Sequence, residues 1–171
     1  VSRIDGQVRI VGTGLLGASI GHALVVAGVD VILHDASRAN LRLAIDYGAG
    51  RAAAAGDAPT LVVVAVPPDA TADAVAAELA TWPDATVTDV ASVKAGILAE
   101  LTAAGADVSR YIGSHPLAGR ERGGAISARA DLFIGRPWVI TGSGPRRRIV
   151  EDLVIDLGAL PVELKLISQT H

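Results

Sequence analysis

The feature that most constrains this chain is a regular succession of short Val- and Ile-rich runs, each separated from the next by a stretch with helical spacing. Val8–Val11, Val29–Leu33, Leu61–Val66, Ala85–Val90, Tyr111–Gly113, Trp138–Thr141 and Leu160–Leu164 read as short buried strands. Between them, Leu15–Ala27, Arg38–Tyr47, Ala70–Thr81, Val93–Ala104 and Arg146–Leu157 repeat apolar residues at helical intervals. A strand that is apolar at every position must be covered on both faces. Helices that cross over between parallel strands provide that cover. The expected fold class is therefore α/β, a doubly wound, mostly parallel sheet. Gly28, Gly48, Gly105 and Gly158 stand where helices should end, and Ser37 and Ser92 are placed to cap helix starts. The Ala-rich stretch Arg51–Gly56 reads as a connector with a weak strand.

Composition narrows the function. A chain of 171 residues that is 50% apolar can bury one sizeable core, and no linker divides it. With 19% charged residues and a net charge of −3, it is neither a disordered acidic tail nor a basic nucleic-acid arm. Aromatics at 3% leave no base-stacking platform. The absence of cysteine removes disulfides, thiolate zinc sites and cysteine nucleophiles together. The longest apolar stretches, Leu61–Val66 and Ala23–Val29, fall well short of the roughly 20 residues a bilayer needs. The start, with Arg3 and Asp5, does not read as a signal peptide. A cytoplasmic protein with no nucleic-acid or membrane partner is expected. The chain opens at Val1 without a methionine and stops at His171 without a helix-ending signal, as a partial chain would.

Gly12-Thr13-Gly14-Leu15-Leu16-Gly17 matches G-x-G-x-x-G. It follows the first strand and opens the first helix, and Asp35 comes about 20 residues on, directly after the second strand, as the dinucleotide fingerprint requires. Gly12 allows the tight turn, Gly14 lets the backbone approach a pyrophosphate, and Gly17 lets helix and strand pack closely. The helix start at Leu15 and Leu16 offers N–H groups to phosphate. Asp35 should accept from the ribose hydroxyls, which favours NAD over NADP, although Arg38 nearby leaves NADP open. Val66 and Pro67, ending the strand before Pro68, are expected against the cofactor. This is a Rossmann-type dinucleotide-binding domain.

Two polar clusters fall at the carboxyl ends of later strands, where open α/β sheets bind ligands. They are Asp89-Val90-Ala91-Ser92-Val93-Lys94 and Gly113-Ser114-His115-Pro116-Leu117-Ala118-Gly119-Arg120-Glu121. His115 is expected in a loop between a strand end and Pro116, flanked by Gly113 and Gly119. An imidazole suits taking a proton from a hydroxyl as hydride leaves the same carbon, yet a lone histidine is also often structural. Ser92 could orient that imidazole or bind substrate. Lys94, a cation in the first turn of a helix, calls for an anionic partner, either the cofactor or Asp89, unless it is a plain surface lysine.

Gly12–Gly17, Asp89–Lys94 and Gly113–Glu121, followed by Asp131-Leu132-Phe133 and Pro137–Thr141, resemble the prephenate/arogenate dehydrogenase family over nearly the whole chain. The His-Pro-x-x-Gly and Asp-x-x-Ser-x-Lys segments carry more of the resemblance than the Gly-rich turn. It implies NAD(P)-dependent oxidative decarboxylation of prephenate to 4-hydroxyphenylpyruvate in tyrosine biosynthesis, with arogenate as the close alternative. It also implies that His115 is the catalytic histidine, polarising the ring hydroxyl, and that Ser92 hydrogen-bonds near it. Hydride passes to the nicotinamide, the ring carboxylate leaves as carbon dioxide, and aromatisation makes the step irreversible. Ala91 departs from the glycine that many relatives have. Family members continue into an all-helical dimerisation domain that supplies an arginine for the substrate carboxylate. The expectation is thus a cofactor domain over residues 1–166, the start of a truncated helical domain at 167–171, and a homodimer at full length. Two other readings stay open: another reductase of this fold acting on a 3-hydroxy acid or an imine, and a non-catalytic NAD-binding regulatory module.

The remaining charges have plain readings beside sharp ones. Arg120, Arg122, Arg129 and Arg136 surround the His115 segment and could meet a dicarboxylate, although surface arginine is the default. Glu121 could shape the cleft entrance. Arg146-Arg147-Arg148 reads as a solvated helix face, and His22 and His34 read as packing residues. Four scattered histidines without spaced carboxylates predict no metal site.

Overall fold

Alternating side chains along the apolar runs build the two layers that flank the sheet. In the computed structural model, which describes residues 2–92, 94–118 and 128–163, Leu61 and Val63 face one way and Val62 and Val64 the other, all at most 1% exposed. The first face packs under Ala18, Ile20 and Leu24 of one helix and Val150, Leu153 and Val154 of another. The second packs under Ala72, Val75 and Leu79, and under Ile97 and Leu101. Each buried Val, Leu or Ile among them contributes about 1.5–3 kcal/mol on burial. That is why these strands read as unbroken apolar runs.

The elements follow in the order β1 (Gln7–Val11), α1 (Leu15–Val26), β2 (Val31–His34), α2 (Arg38–Asp46), β3 (Arg51–Ala52), β4 (Pro59–Val64), α3 (Pro68–Thr81) and β5 (Thr86–Asp89). They continue with α4 (Ala95–Ala103), β6 (Tyr111–Pro116), β7 (Pro137–Ile140), α5 (Arg147–Asp156) and β8 (Leu160–Glu163). The sheet order is β3-β2-β1-β4-β5-β6-β7-β8. Pairing is parallel except between β6 and β7. The chain reverses direction across the sheet between β1 and β4, which opens a crevice at their carboxyl ends. Gly28, Gly48, Gly105 and Gly158 end their helices with φ between 73° and 88°, as the sequence predicts.

Several boundaries differ from the sequence reading. β4 stops at Val64 rather than Val66, and α3 begins at Pro68, because Pro67 N-caps it and Pro68 takes the first helical position, where no N–H is needed. Ser37 caps α2 by accepting from the Asn40 N–H at 3.2 Å, but the N-cap position of α4 is Lys94 rather than Ser92. β8 is exposed along its length because it is the sheet's edge, so the expected buried strand is not buried. His34 is exposed rather than packed. Arg146 donates to the Asp84 carbonyl and the Thr86 hydroxyl, and Arg147 to Glu151 and to the carbonyls of Ile140 and Gly142. Only Arg148 of that trio is exposed.

Two arginines, Arg110 buried and Arg9 half-buried, secure the α3 layer. Arg9, facing α3 from β1, makes a two-pronged pair with Glu78 at 2.8 and 3.2 Å, and the Trp82 indole N–H donates to the same carboxylate. Arg110 donates to the carbonyls of Leu79, Trp82 and Ala85, which closes the carboxyl end of α3. Charges buried this deeply are tolerated because each is paired and hydrogen-bonded.

The tightest approach lies at the start of α1. A Cβ at Gly17 would stand 1.9 Å from the Gly12 carbonyl oxygen and 3.3 Å from the Ala65 methyl, so the helix can rest on the strand ends only with no side chain there. Gly14, three residues earlier, meets nothing within 4 Å. Gly17→Ala should cost about 3 kcal/mol or more in urea unfolding, whereas Gly14→Ala should cost about 1 kcal/mol or less. Equal losses for the two would show that the contact at Gly17 is not what fixes the helix.

Candidate active site

Every polar segment singled out in the sequence follows the carboxyl end of a parallel strand, so all of them share one edge of the sheet. Gly12 ends β1 with a φ of 101°, donates its N–H to the His34 carbonyl at 2.8 Å, and would place a Cβ 2.3 Å from the Ala65 carbonyl oxygen. Only glycine fits that turn. Gly14, the exposed N-cap of α1, brings no capping side chain, and the first turn carries no acid. An anion there would meet a bare helix start with its partial positive charge. Leu15 is buried beneath the turn and Leu16 is half-buried against the core. Val66 is half-buried with its Cγ1 over Gly12, and Pro67 is exposed beside it.

Asp35 sits one residue past β2. Its Oδ2 accepts from the Thr13 N–H at 2.9 Å and the Thr13 hydroxyl at 2.7 Å, and its Oδ1 accepts from the Ser37 N–H at 2.8 Å. Burial alone would raise its pKa. The hydrogen bonds from Ser37 and Thr13 outweigh that and hold it below the usual carboxylate value. Arg38 is exposed at the start of α2. An open backbone at Gly14, an uncapped helix start and an ionised carboxylate one strand away fit the diphosphate and ribose of a dinucleotide.

His115 lies on a strand, not in the loop expected from its Pro and Gly neighbours. β5 pairs with β6 only as far as Asp89↔Gly113, but β7 runs antiparallel on the other side and carries the ladder on through Ser114↔Ile140, His115↔Val139 and Pro116↔Trp138. β6 therefore overhangs its parallel neighbour and holds His115 beyond the end of β5. The imidazole is half-buried, and its Nδ1 is buried with no hydrogen-bond partner among the described residues. Burial lowers its pKa below the ordinary histidine value. The Val90 backbone opposes that shift, Lys94 adds to it, and Asp89 opposes it. A neutral imidazole at neutral pH is a proton acceptor.

Beneath it lies a closed polar cluster. Asp89 is fully buried; its Oδ1 accepts from the Tyr111 hydroxyl at 2.7 Å, and its Oδ2 accepts from the Ala91 N–H at 3.0 Å and from the Lys94 ammonium. Asp89 is thus the anionic partner that Lys94 called for. Burial pushes the Lys94 pKa down against the pull of Asp89, and burial with the nearby Asp89 pushes the Tyr111 phenol up. On the other face of β6, the Ser114 hydroxyl donates to the Asp89 carbonyl at 2.7 Å. Ser92 is exposed just after β5 and, among the described residues, makes no hydrogen bond to His115. Tyr111 and Thr13 escaped the sequence reading. The available signals were the two-residue period that puts Tyr111, Gly113 and His115 on one face of β6, and a hydroxyl inside the Gly-rich turn. Arg129 lies 3.6 Å from Asp131 and is exposed, as is Arg136. Gly119, Arg120, Glu121 and Arg122 lie outside the described residues.

Comparison with known proteins agrees with this geometry. The family model of the prephenate dehydrogenase nucleotide-binding domain matches residues 20–159. The probable prephenate dehydrogenase NovF of Streptomyces niveus is 42% identical over 160 residues, covering 91% of this chain and 44% of that protein. The chain therefore spans less than half the length of that curated relative. Among solved structures, prephenate dehydrogenase from Aquifex aeolicus in complex with hydroxyphenyl propionate and NAD+ superposes with a TM-score of 0.84 at 24% identity, covering 96% of this chain and 62% of that one. Synechocystis arogenate dehydrogenase superposes at 0.81 with 25% identity, covering 93% and 59%. These structures share the overall fold of this mostly parallel, doubly wound sheet, and this chain belongs to the prephenate dehydrogenase nucleotide-binding domain family.

Proposed function

We propose that this chain is the cofactor-binding and proton-accepting part of an NAD-dependent prephenate dehydrogenase, which converts prephenate to 4-hydroxyphenylpyruvate in tyrosine biosynthesis, with arogenate as the alternative substrate. The observation that carries this reading is the overhang of β6, which puts a half-buried imidazole with a lowered pKa on the same sheet edge as the Gly-rich turn and Asp35. Gly12, Gly14 and Gly17 with the N–H groups of Leu15 and Leu16 hold the pyrophosphate. Asp35 takes a ribose hydroxyl and disfavours the 2′-phosphate of NADP, and Val66 and Pro67 flank the cofactor. When bound, NAD+ supplies the hydride acceptor. His115 accepts the ring-hydroxyl proton as hydride leaves the same carbon, and Ser92 hydrogen-bonds to that hydroxyl from the end of β5. The carboxylate then departs as carbon dioxide, the ring becomes aromatic, and His115 returns its proton to the phenolic oxygen.

The same reading gives a cytoplasmic enzyme, homodimeric at full length. The cofactor domain is assigned to residues 1–166, and the expected start of a helical domain at 167–171 lies outside the described residues. The family membership supports this reading.

The test is NADH formation at 340 nm by the protein in its full natural length, with prephenate and with arogenate in separate assays. Substrate-dependent NADH should fall about 10³-fold in His115→Asn, in the range of lost general-base catalysis. No NADH with either substrate, using NAD+ or NADP+, would remove the assignment. The pH profile offers a second check. Because the His115 pKa lies below its ordinary value of about 6.5, kcat/KM should stay flat through neutrality and fall only as pH drops through that lower pKa. An acid limb centred above 6.5 would contradict His115 as the base.

A further inference from the structure

Asp35 is usually the whole explanation of nucleotide choice in such a turn, but here its carboxylate is already heavily engaged by the protein. Oδ2 accepts from both the N–H and the hydroxyl of Thr13, and Oδ1 accepts from the Ser37 N–H. A carboxylate oxygen offers two acceptor directions. Oδ2 is therefore filled, and one direction remains on Oδ1. Thr13 is 2% exposed, and its hydroxyl, at 2.7 Å, makes the shortest of these contacts. Asp35 itself is only partly buried at the mouth of the crevice, and without the hydroxyl its side chain would be held by backbone N–H groups alone. The exposed guanidinium of Arg38 lies three residues on, available to a 2′-phosphate.

We propose that Thr13 is a positioning residue that sets the preference for NAD+ over NADP+, by fixing the Asp35 carboxylate with one acceptor direction turned to the adenosine ribose. This rests on the nucleotide-binding reading above. The fixed anion receives one ribose hydroxyl and stands in the way of a 2′-phosphate. A loosened Asp35 would do both less well: NAD+ would lose a preorganised acceptor, and a 2′-phosphate could displace the carboxylate toward solvent and meet Arg38. The backbone of the Gly-rich turn serves the pyrophosphate that both nucleotides share, so a change confined to the stability of that turn would move both affinities together.

Isothermal titration with NAD+ and with NADP+ on the full natural-length protein tests this without an activity assay. Thr13→Val keeps the shape and removes the donor. It should weaken NAD+ about tenfold, the usual scale for a hydrogen bond to a charged acceptor, while NADP+ changes less than about threefold or tightens. Thr13→Ser restores the donor and should return the NAD+/NADP+ ratio to within about twofold of wild type. Thr13→Ala, which fits wherever threonine does, carries the same expectation as valine should the valine strain the turn. An unchanged ratio in Thr13→Val and Thr13→Ala, or a parallel loss of both nucleotides that serine does not repair, overturns the role of Thr13 while leaving the NAD reading intact. Failure of the wild type to bind either nucleotide overturns both.

Discussion

Parallel pairing from β3 through β6 is the constraint on which the site depends. When neighbouring strands run in the same direction, every strand-to-helix turn on one edge leads away from a carboxyl end, and the helices cover both faces. The chain has no choice about where polar turn residues collect. Gly12, Asp35, Val66, Ser92 and His115 come from five different segments and still arrive on one edge, because each follows or ends a strand of the same direction. The close approach of α1 to the strand ends sets the depth of that edge, since a side chain at Gly17 would collide with the carbonyl of Gly12.

The antiparallel β7 adds what a purely parallel sheet lacks. A strand in a parallel sheet ends where both neighbours end, but β6 has one neighbour that stops at Asp89 and another that begins beyond it. The backbone of Ser114, His115 and Pro116 is held in a ladder on one side and faces the end of β5 on the other. A histidine so placed has a rigid main chain and a side chain at the rim. That combination favours catalysis over a loop position, where the imidazole would sample more orientations.

Much of this could be read from residue patterns. The strands and helices followed from unbroken apolar runs and helical spacing, and the glycine helix ends from the positive φ they demand. The partnership of Lys94 was legible because a cation at a helix start is disfavoured and Asp89 is close in sequence. What failed depended on partners distant in sequence. His115 looked like a loop residue because nothing local shows that residues 137–140 extend its strand. Ala65 and Val66 looked like strand because the run stays apolar after the ladder has ended. Arg146 and Arg147 looked solvated because their acceptors lie in other turns. The exposed β8 looked buried because composition cannot mark a sheet edge.

The two aspartates on this edge show how partner count divides one residue type into two tasks. Asp89 is enclosed, with Tyr111, Ala91 and Lys94 filling its acceptor sites and the ammonium balancing its charge. It has nothing left to offer a ligand, and its work is to tie the β5 end to β6 beneath His115. Asp35 has three neutral donors and, among the described residues, no salt-bridge partner, so its charge is not cancelled by a paired cation and one acceptor direction is unspent. Neutral donors lower the pKa of a carboxylate without cancelling its field. An anion held in this way still repels a nearby phosphate, whereas one paired with a lysine would not. On the proposed reading, selectivity against a doubly charged 2′-phosphate asks for hydroxyl and amide partners at Asp35 rather than for a salt bridge, and the Gly-rich turn supplies both from Thr13.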